Sequence, residues 1–512
     1  MANPSLQIGN NNWAIKEDNL LGYSTAGTRF VPQPITMTRA TLGTRVNPTG
    51  LVEDVALLGS EEVVNGDFAT DTDWIKGTGW SISNNRASYN GSGTGYQYIL
   101  QSITTTSGKL YKINFDVLSS TGSNLNIVDF GSVRVNQTHL SVGNYTYYAE
   151  ADATSENLFI YANGTDTFSI TNVSVKEATI DNLPRVDYTD GTSSLLVEPQ
   201  RTNLITYSED FTSWNKLAAV VTTNQTTSPS GTLTADKITY DGTTYGRVEQ
   251  TVAVTNGNTY SWSVYLKNND LSDVTQVWLG FSLGGQGEFV TITNEWQRYE
   301  TVQVANGSNE YPRVQFTGTG SLYAWGAQME EGSYPTSYIK TSGSTVTRNQ
   351  ETYTKTGISD KIGQTEGTFF IELSKPVLET DGYYLISLNN AASNSDSNSV
   401  TIGFDDADDD FYIRLKASGI NVFLDNLTSS LANTFYKIAV AYKSGQSKIY
   451  INGSPINPNQ GSLSNTFTFA VTLDNLSFDY NGNGTLPFRG KVKQLQIFKT
   501  ALSPSELATL TS

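Results

Sequence analysis

The sequence has no cysteine and a single histidine, His139, among its 512 residues. The first absence excludes disulfides, thiolate zinc sites and cysteine nucleophiles. The second excludes a multi-histidine metal site and confines any Ser–His–Asp triad to His139. Charge is also scarce: 16% of residues are charged, where about a quarter is usual. What charge there is leans negative, with 32 basic against 49 acidic residues and a net of −17. Such a surface repels nucleic-acid phosphates and anionic membranes, so neither is an expected partner. No apolar run approaches the roughly 18 residues that a membrane-spanning helix needs. The opening Met1-Ala-Asn-Pro-Ser5 has no basic region followed by an apolar stretch, so no secretory signal is expected.

Thr, Ser, Asn and 44 Gly stand where the charge is missing, and aromatics make up 11%. That composition suits a β-rich surface exposed outside a cell. Together with cytoplasmic synthesis it fits a virion protein released by lysis. Helical periodicity is nearly absent. Short alternating runs broken by Gly, Asn and Asp dominate, which is the pattern of antiparallel sandwiches. In Leu110-Tyr-Lys-Ile-Asn-Phe-Asp-Val117 the odd positions are apolar, and in Thr259-Tyr-Ser-Trp-Ser-Val-Tyr265 the even ones are. Each run therefore buries one face.

Those two runs are copies. Gln101, Gly108 and Tyr111 recur as Gln250, Gly257 and Tyr260, each 149 residues on. Upstream, Asn65-Gly-Asp-Phe68 with Trp74 parallels Ser208-Glu-Asp-Phe211 with Trp214. Downstream, the run from Phe168 to Glu177 parallels Leu322 to Glu331 at an offset of 154. A period this long means tandem domains. The expected organisation is all-β: an extended arm over 1–58, a first sandwich over 59–178, a linker and second sandwich over 179–345, and a third sandwich over 355–512. In the third, Asn452-Gly453 closes a tight turn. Only the C-terminus reads as helix, with Ser503 as cap, Pro504 at the first position and Glu506 completing a capping box.

Three stretches resemble bacteriophage tail-fibre and related virion-appendage proteins. They are Met37-Thr-Arg-Ala-Thr-Leu-Gly-Thr-Arg-Val-Asn-Pro-Thr-Gly-Leu-Val-Glu53; Leu183-Pro-Arg-Val-Asp-Tyr188 with Leu195-Leu-Val-Glu-Pro-Gln-Arg-Thr-Asn-Leu-Ile-Thr-Tyr-Ser-Glu-Asp-Phe211; and Ala324-Trp-Gly-Ala-Gln-Met-Glu-Glu-Gly-Ser-Tyr-Pro-Thr-Ser-Tyr338 with Val346-Thr-Arg348. In such relatives the first two stretches usually lie close together. Here about 120 residues separate them, so the first sandwich reads as an insertion. The two repeats resemble jelly-roll carbohydrate-binding modules. The third unit resembles a concanavalin-A or laminin-G-like sandwich, through Lys448–Gly453 and Gly490–Phe498 followed by Ala501-Leu-Ser-Pro-Ser-Glu-Leu507. The resemblance implies a virion structural protein, a tail or head fibre, that adheres to host surface polysaccharide. It also implies a homotrimer and other capsid or tail proteins as partners; no enzymatic activity is expected, because the residues offer no convincing paired-carboxylate cleft.

The candidate residues divide by chemistry. Trp80, Tyr96 and Tyr98 lie near Gly-rich turns of the first repeat, and Tyr245 and Trp278 comparably in the second; all five are candidates for stacking on sugar rings, against plain packing or exposure. Asp405, Asp406, Asp408, Asp409 and Asp410 crowd five carboxylates into six residues. They are a candidate calcium loop, against the plainer reading of a hairpin turn between two strands. Calcium is the one cofactor considered. Trp13, Ile15, Leu20, Leu21, Phe30 and Val31 are apolar residues in an arm too short for its own core, and they are candidates for attachment to the virion. Glu150, Asp152 and Glu156 have the spacing of a glycosidase motif but fall in a turn between two strands. His139 sits near a likely turn with no Gly-x-Ser-x-Gly elbow in the chain. Gly284-Gly-Gln-Gly287 lacks the Lys and helix start of a phosphate loop. The alternatives to adhesion are a decoration protein without ligand and a glycan-degrading enzyme.

Overall fold

In a computed structural model, residues 2–512 are described apart from 10–12, 17–18, 27–28, 122–125, 132, 138–139, 243–244, 270–275, 282–286, 378–381, 393–396, 406–408, 427 and 481–483. Side chains are also left undescribed at 14–16, 19, 21–26, 29–31, 126–127 and 133–137. The described chain is all-β, with antiparallel sheets packed as sandwiches and one α-helix, Pro504–Thr511. That helix starts as its sequence predicts. The Ser503 hydroxyl and the Glu506 carboxylate exchange hydrogen bonds with each other's backbone N–H groups.

Apolar residues gather into three principal cores. The first repeat packs two sheets. One runs, edge to edge, through Gly143–Glu150, Leu110–Ser120, Phe168–Thr179, Arg86–Tyr89 and Trp80–Ser83. The other runs through Val133–Gln137, Asn126–Phe130, Ser155–Asn163, Tyr96–Thr104 and Ile75–Lys76. The second repeat reproduces this plan. Its sheets are Ala219–Thr227, Leu233–Tyr240, Gly320–Glu331, Thr259–Asn268 and Gln297–Val304, and then Asn215–Leu217, Arg247–Glu249, Arg313–Phe316, Gln276–Gly280 and Gly287–Thr291.

The copies agree down to single hydrogen bonds. Tyr111 Oη accepts from the Thr106 N–H at 2.8 Å, and Tyr260 Oη from the Thr255 N–H at 2.9 Å. Gln101 Oε1 caps the Val64 N–H at 2.8 Å, and Gln250 Oε1 the Thr206 N–H at 2.7 Å. The indole N–H groups of Trp74 and Trp214 donate to the carbonyls of Asn65 and Tyr207. Gly108 and Gly257 occupy the same turn with φ of +77° and +89°, a conformation that penalises any Cβ.

The third core is assembled from distant parts of the chain. Gly490–Phe498 pairs on one edge with Glu366–Ser374 and on the other with both Leu6–Gly9 and Ser194–Val197. Arg29–Thr38 pairs with Thr352–Lys355. Leu6, Ile8, Leu20, Ile35 and Met37 are buried in this core, and Trp13 packs against it. The expectation that the arm needs a separate partner to order is corrected here for Leu20 and Trp13. Too short to bury its own apolar residues, the segment buries them against the C-terminal sandwich of the same chain. The side chains of Ile15, Leu21, Phe30 and Val31 lie outside the described residues.

Where these segments meet, five charged side chains are buried together. Arg185 grips both Glu351 oxygens, Nε to Oε1 at 2.7 Å and Nη2 to Oε2 at 2.6 Å. Arg39 holds the same carboxylate. Glu198 Oε2 takes Arg185 Nη1 at 2.8 Å and Arg348 Nη1 at 3.1 Å. The Ser337 N–H and hydroxyl also donate to Glu198, at 2.8 and 2.7 Å. Arg39, Arg185, Glu198, Ser337 and Arg348 all come from the three stretches that set this sequence apart. Close by, the Asn182 N–H donates to the Arg39 carbonyl at 2.7 Å and the Arg39 N–H donates to Asn182 Oδ1 at 3.0 Å. The chain therefore leaves for the first module and returns from it at one place.

Burial alone would raise the pKa of Glu198 and Glu351, but the surrounding guanidiniums outweigh it and hold both below the usual carboxylate range. A carboxylate depressed in the folded state stabilises the protein above its unfolded pKa, near 4.3. Its contribution should be intact at neutral pH and fade as pH falls below about 4. Glu351→Gln, which leaves Arg39 and Arg185 buried against a neutral amide, should cost about 3–5 kcal/mol. Urea denaturation at pH 7 measures this, and a loss below about 1 kcal/mol would mean that the cluster is not what joins these segments.

Candidate functional site

The candidate site is a sheet face, present in both modules. In Tyr96–Thr104 the odd positions Ile99 and Ile103 point into the core. Tyr96 and Tyr98 therefore point out, by strand alternation. Ser155–Asn163 pairs with that strand, Tyr98 opposite Tyr161 and Leu100 opposite Phe159. Its Leu158, Ile160 and Ala162 are buried, so Phe159 and Tyr161 share the outer face. Tyr98 meets Phe159 and Tyr161 edge-on, with ring centroids 5.6 and 6.0 Å apart. Tyr161 stacks on Phe159 at 5.3 Å and meets Tyr96 at 6.3 Å. Four rings thus form one continuous patch, with Tyr96 44% exposed.

The second module has the same face with different chemistry. Arg247, Gln315, Trp278 and Phe289 form one row across four strands, with Glu249, Arg313, Gly280 and Gly287 as the next. Counting along the repeat, Tyr245 stands where Tyr96 does, Arg247 for Tyr98, Arg313 for Phe159 and Gln315 for Tyr161. Glu249 Oε2 pairs with Arg247 Nε at 2.8 Å and Arg313 Nε at 3.3 Å. Arg247 also lies over the Tyr245 ring at 5.7 Å, and Arg313 over Trp278 at 5.8 Å. The result is a ladder: Tyr245, Arg247, Glu249, Arg313, Trp278. Gly287 is needed beside it, because a Cβ there would come within 2.3 Å of the Trp278 ring. Burial lowers the pKa of Arg313 and Glu249 opposes that shift; the guanidinium stays charged. Two guanidiniums share the Glu249 carboxylate on this face, and the charge of Glu310 also acts on Arg313.

The predicted residues fare unequally. Tyr96 and Tyr98 share one face, and Tyr245 and Trp278 share the equivalent one, though on or beside strands instead of at turn tips. Trp80 is corrected: it is buried in the first core, 5.7 Å from Tyr89 and 6.3 Å from Phe168. It starts a strand whose alternate residues, Trp80 and Ile82, face inward. Phe159, Tyr161, Arg247, Arg313 and Phe289 were not anticipated. For Phe159 and Tyr161 the signal is apolar character at both parities, as in Asn157-Leu-Phe-Ile-Tyr161, which a sandwich strand with a plain wet face does not show; Arg247 and Arg313 carry no such signal.

The acidic run is a hairpin, with Asp405 opposite Asp410 across its strands. Asp409 Oδ1 pairs with the buried Lys375 Nζ at 3.0 Å. Asp406 and Asp408 lie outside the described residues, as does His139. Among the described residues no group of three or more metal-ligating side chains is assembled. Glu156 Oε1 accepts from the N–H groups of Asp152 and Ala153, both at 2.8 Å, which fixes the turn after Gly143–Glu150.

Residues 377–508 match the family model described as the concanavalin A-like lectin/glucanases superfamily, of laminin G type. The C-terminal unit is therefore a concanavalin A-like, laminin G-like domain. None of the curated proteins matches the sequence. Among solved structures, the chain is similar to the CBM40 module of Ruminococcus gnavus IT-sialidase bound to α2,3-sialyllactose (16% identity, 29% of this chain and 84% of that one, TM-score 0.25). It is also similar to the CBM22 tandem of Paenibacillus barcinonensis Xyn10C (12% identity, 54% and 98%, TM-score 0.21). A third is the Trypanosoma rangeli sialidase in complex with the inhibitor DANA (8% identity, 95% and 95%, TM-score 0.25).

Placement on the face or in the core has a measurable consequence. Trp80→Ala should cost about 3–5 kcal/mol through the cavity it leaves. Tyr96→Ala should cost less than about 1 kcal/mol. Denaturation of both variants decides between the two environments, and a similar loss at Tyr96 would place that ring in the core.

Proposed function

We propose that this protein is an adhesin of a phage virion, binding host surface polysaccharide through the outward sheet faces of its first two modules. The observation that carries the reading is the repeated face itself. Two copies of one outward sheet face both carry rings, with Tyr96 and Tyr245 at the same position of the repeat and different side chains at the others. Exposed ring surface suits the apolar faces of sugar rings, and guanidiniums beside the rings suit sugar hydroxyls and carboxylates. The first face fits neutral sugars, and the second fits sugars carrying hydroxyl-rich or acidic substituents. Several weak contacts on one chain, multiplied in a homotrimer, add through effective concentration.

The virion setting is supported by the tail-fibre-like stretches and by their joint use in one buried charge cluster. The proposed role is adhesive, without bond cleavage. The carboxylate of Glu156, which a glycosidase reading would make catalytic, is engaged by the backbone of its own turn.

The test is binding of the full chain to intact host cells before and after periodate oxidation of the cell surface. Binding should be periodate-sensitive. Tyr98→Ala and Trp278→Ala should each weaken it by about 1 kcal/mol, roughly fivefold. Binding that survives both periodate and the double replacement contradicts the proposal.

A further inference from the structure

On the second module's face, the row of Arg247, Gln315, Trp278 and Phe289 extends to a fifth strand. Asn215–Leu217 pairs with Arg247–Glu249, and that register sets Leu217 opposite Arg247. The order across the sheet is Leu217, Arg247, Gln315, Trp278, Phe289. At a strand spacing of about 4.8 Å, the two ends of this row lie about 19 Å apart.

Both ends break the usual rule for a sheet edge. Asn215–Leu217 and Gly287–Thr291 are the outer strands of this five-stranded sheet. Exposed edges are normally blunted by charge, by proline or by a covering element. Here each edge instead turns a large apolar side chain outward, Leu217 at 43% and Phe289 at 61% exposure. The core explains neither of them. Its row between the same strands is filled by Val248, Val314 and Leu279. One exposed apolar residue is ordinary. Two that end the same row, with Trp278 between them, set the length of a surface.

The first module has no such span. Its corresponding edge also carries an exposed apolar residue, Ile75. The row from it runs through Leu100 and Phe159 to Asp129 and Arg134, so its far end is charged. The apolar part of that face stops at the third strand.

We infer that the second module binds the interior of a linear polysaccharide, about four sugar residues laid across the strands from Leu217 to Phe289. This rests on the sheet face being the glycan surface. A pyranose residue advances a glycan chain by roughly one strand spacing, about 4.8 Å, so about four residues fill the row. Because the row runs off both edges of the sheet, the chain continues past either end and neither of its termini is needed. Leu217 and Phe289 are therefore the residues that set the preferred length.

The experiment uses the full chain carrying Tyr98→Ala, which disables the first face, and fragments of two to eight residues cut from host surface polysaccharide by partial acid hydrolysis. Calorimetry should show affinity rising at least about tenfold between two and four residues, and less than about twofold between six and eight. Reducing the terminal aldehyde of the six-residue fragment to an alcohol should leave its affinity within about twofold. Phe289→Ala and Leu217→Ala should each weaken the six-residue fragment about fivefold, with the melting temperature within about 2 °C of the parent chain. Equal affinity for two and six residues, loss of binding on reduction, or indifference to both edge replacements overturns the inference and leaves the sheet face as the glycan surface. Binding of the intact polysaccharide but of no fragment does the same. Failure of the intact polysaccharide to bind overturns both. Dimers of the ligand-free chain that Phe289→Ala dissolves would assign the edge to a second copy of the chain, and also overturn the inference.

Discussion

The molecule depends on one buried charge cluster. Arg39, Arg185, Arg348, Glu198 and Glu351 come from four separated stretches of sequence and meet out of contact with water. Removing five charges from solvent is expensive, and the arrangement is tolerable only because each carboxylate is met by two guanidiniums and further donors. That requirement is also what gives it specificity. No subset of these stretches can form the cluster, so the arm, the linker and the strands that flank the second module must close together. The first module then hangs from a fixed point, since the chain enters and leaves it beside Arg39 and Asn182.

On this frame, duplication has produced two platforms with one geometry and two chemistries. The inward positions of the paired strands hold the same kind of residue in both copies, Ile160 in one and Val314 in the other. The outward positions are free of that constraint. Phe159 and Tyr161 in one module answer to Arg313 and Gln315 in the other. Core packing preserves the platform, while the exposed row is open to selection for a ligand.

Much of the fold was legible in the sequence for local reasons. Period-two alternation marks Leu110–Ser120 and Thr259–Asn268 as half-buried strands, and the spacing of Gln101, Gly108 and Tyr111 reveals the repeat. The capping box at Ser503 needs only four residues. The arm was misjudged because its partner strand, Gly490–Phe498, lies nearly 500 residues away, and no local pattern announces such a pairing. Trp80 was misjudged because proximity to glycine suggested a loop, where strand parity decides. Tyr98 and Trp278 were legible as aromatics but not as members of faces. A face is a property of neighbouring strands, and Phe159 and Arg313 join it only through inter-strand register.

The central claim is that the two sheet faces, and not the turns or the edges, meet the glycan. Hydroxyl-radical footprinting of the full chain with and without purified host surface polysaccharide addresses it residue by residue. The account predicts protection of Tyr96, Tyr98, Tyr161, Tyr245 and Trp278, with no change at the exposed Leu431 or Ile420 of the C-terminal domain. Protection confined to that domain, or none at saturating polysaccharide, would contradict it.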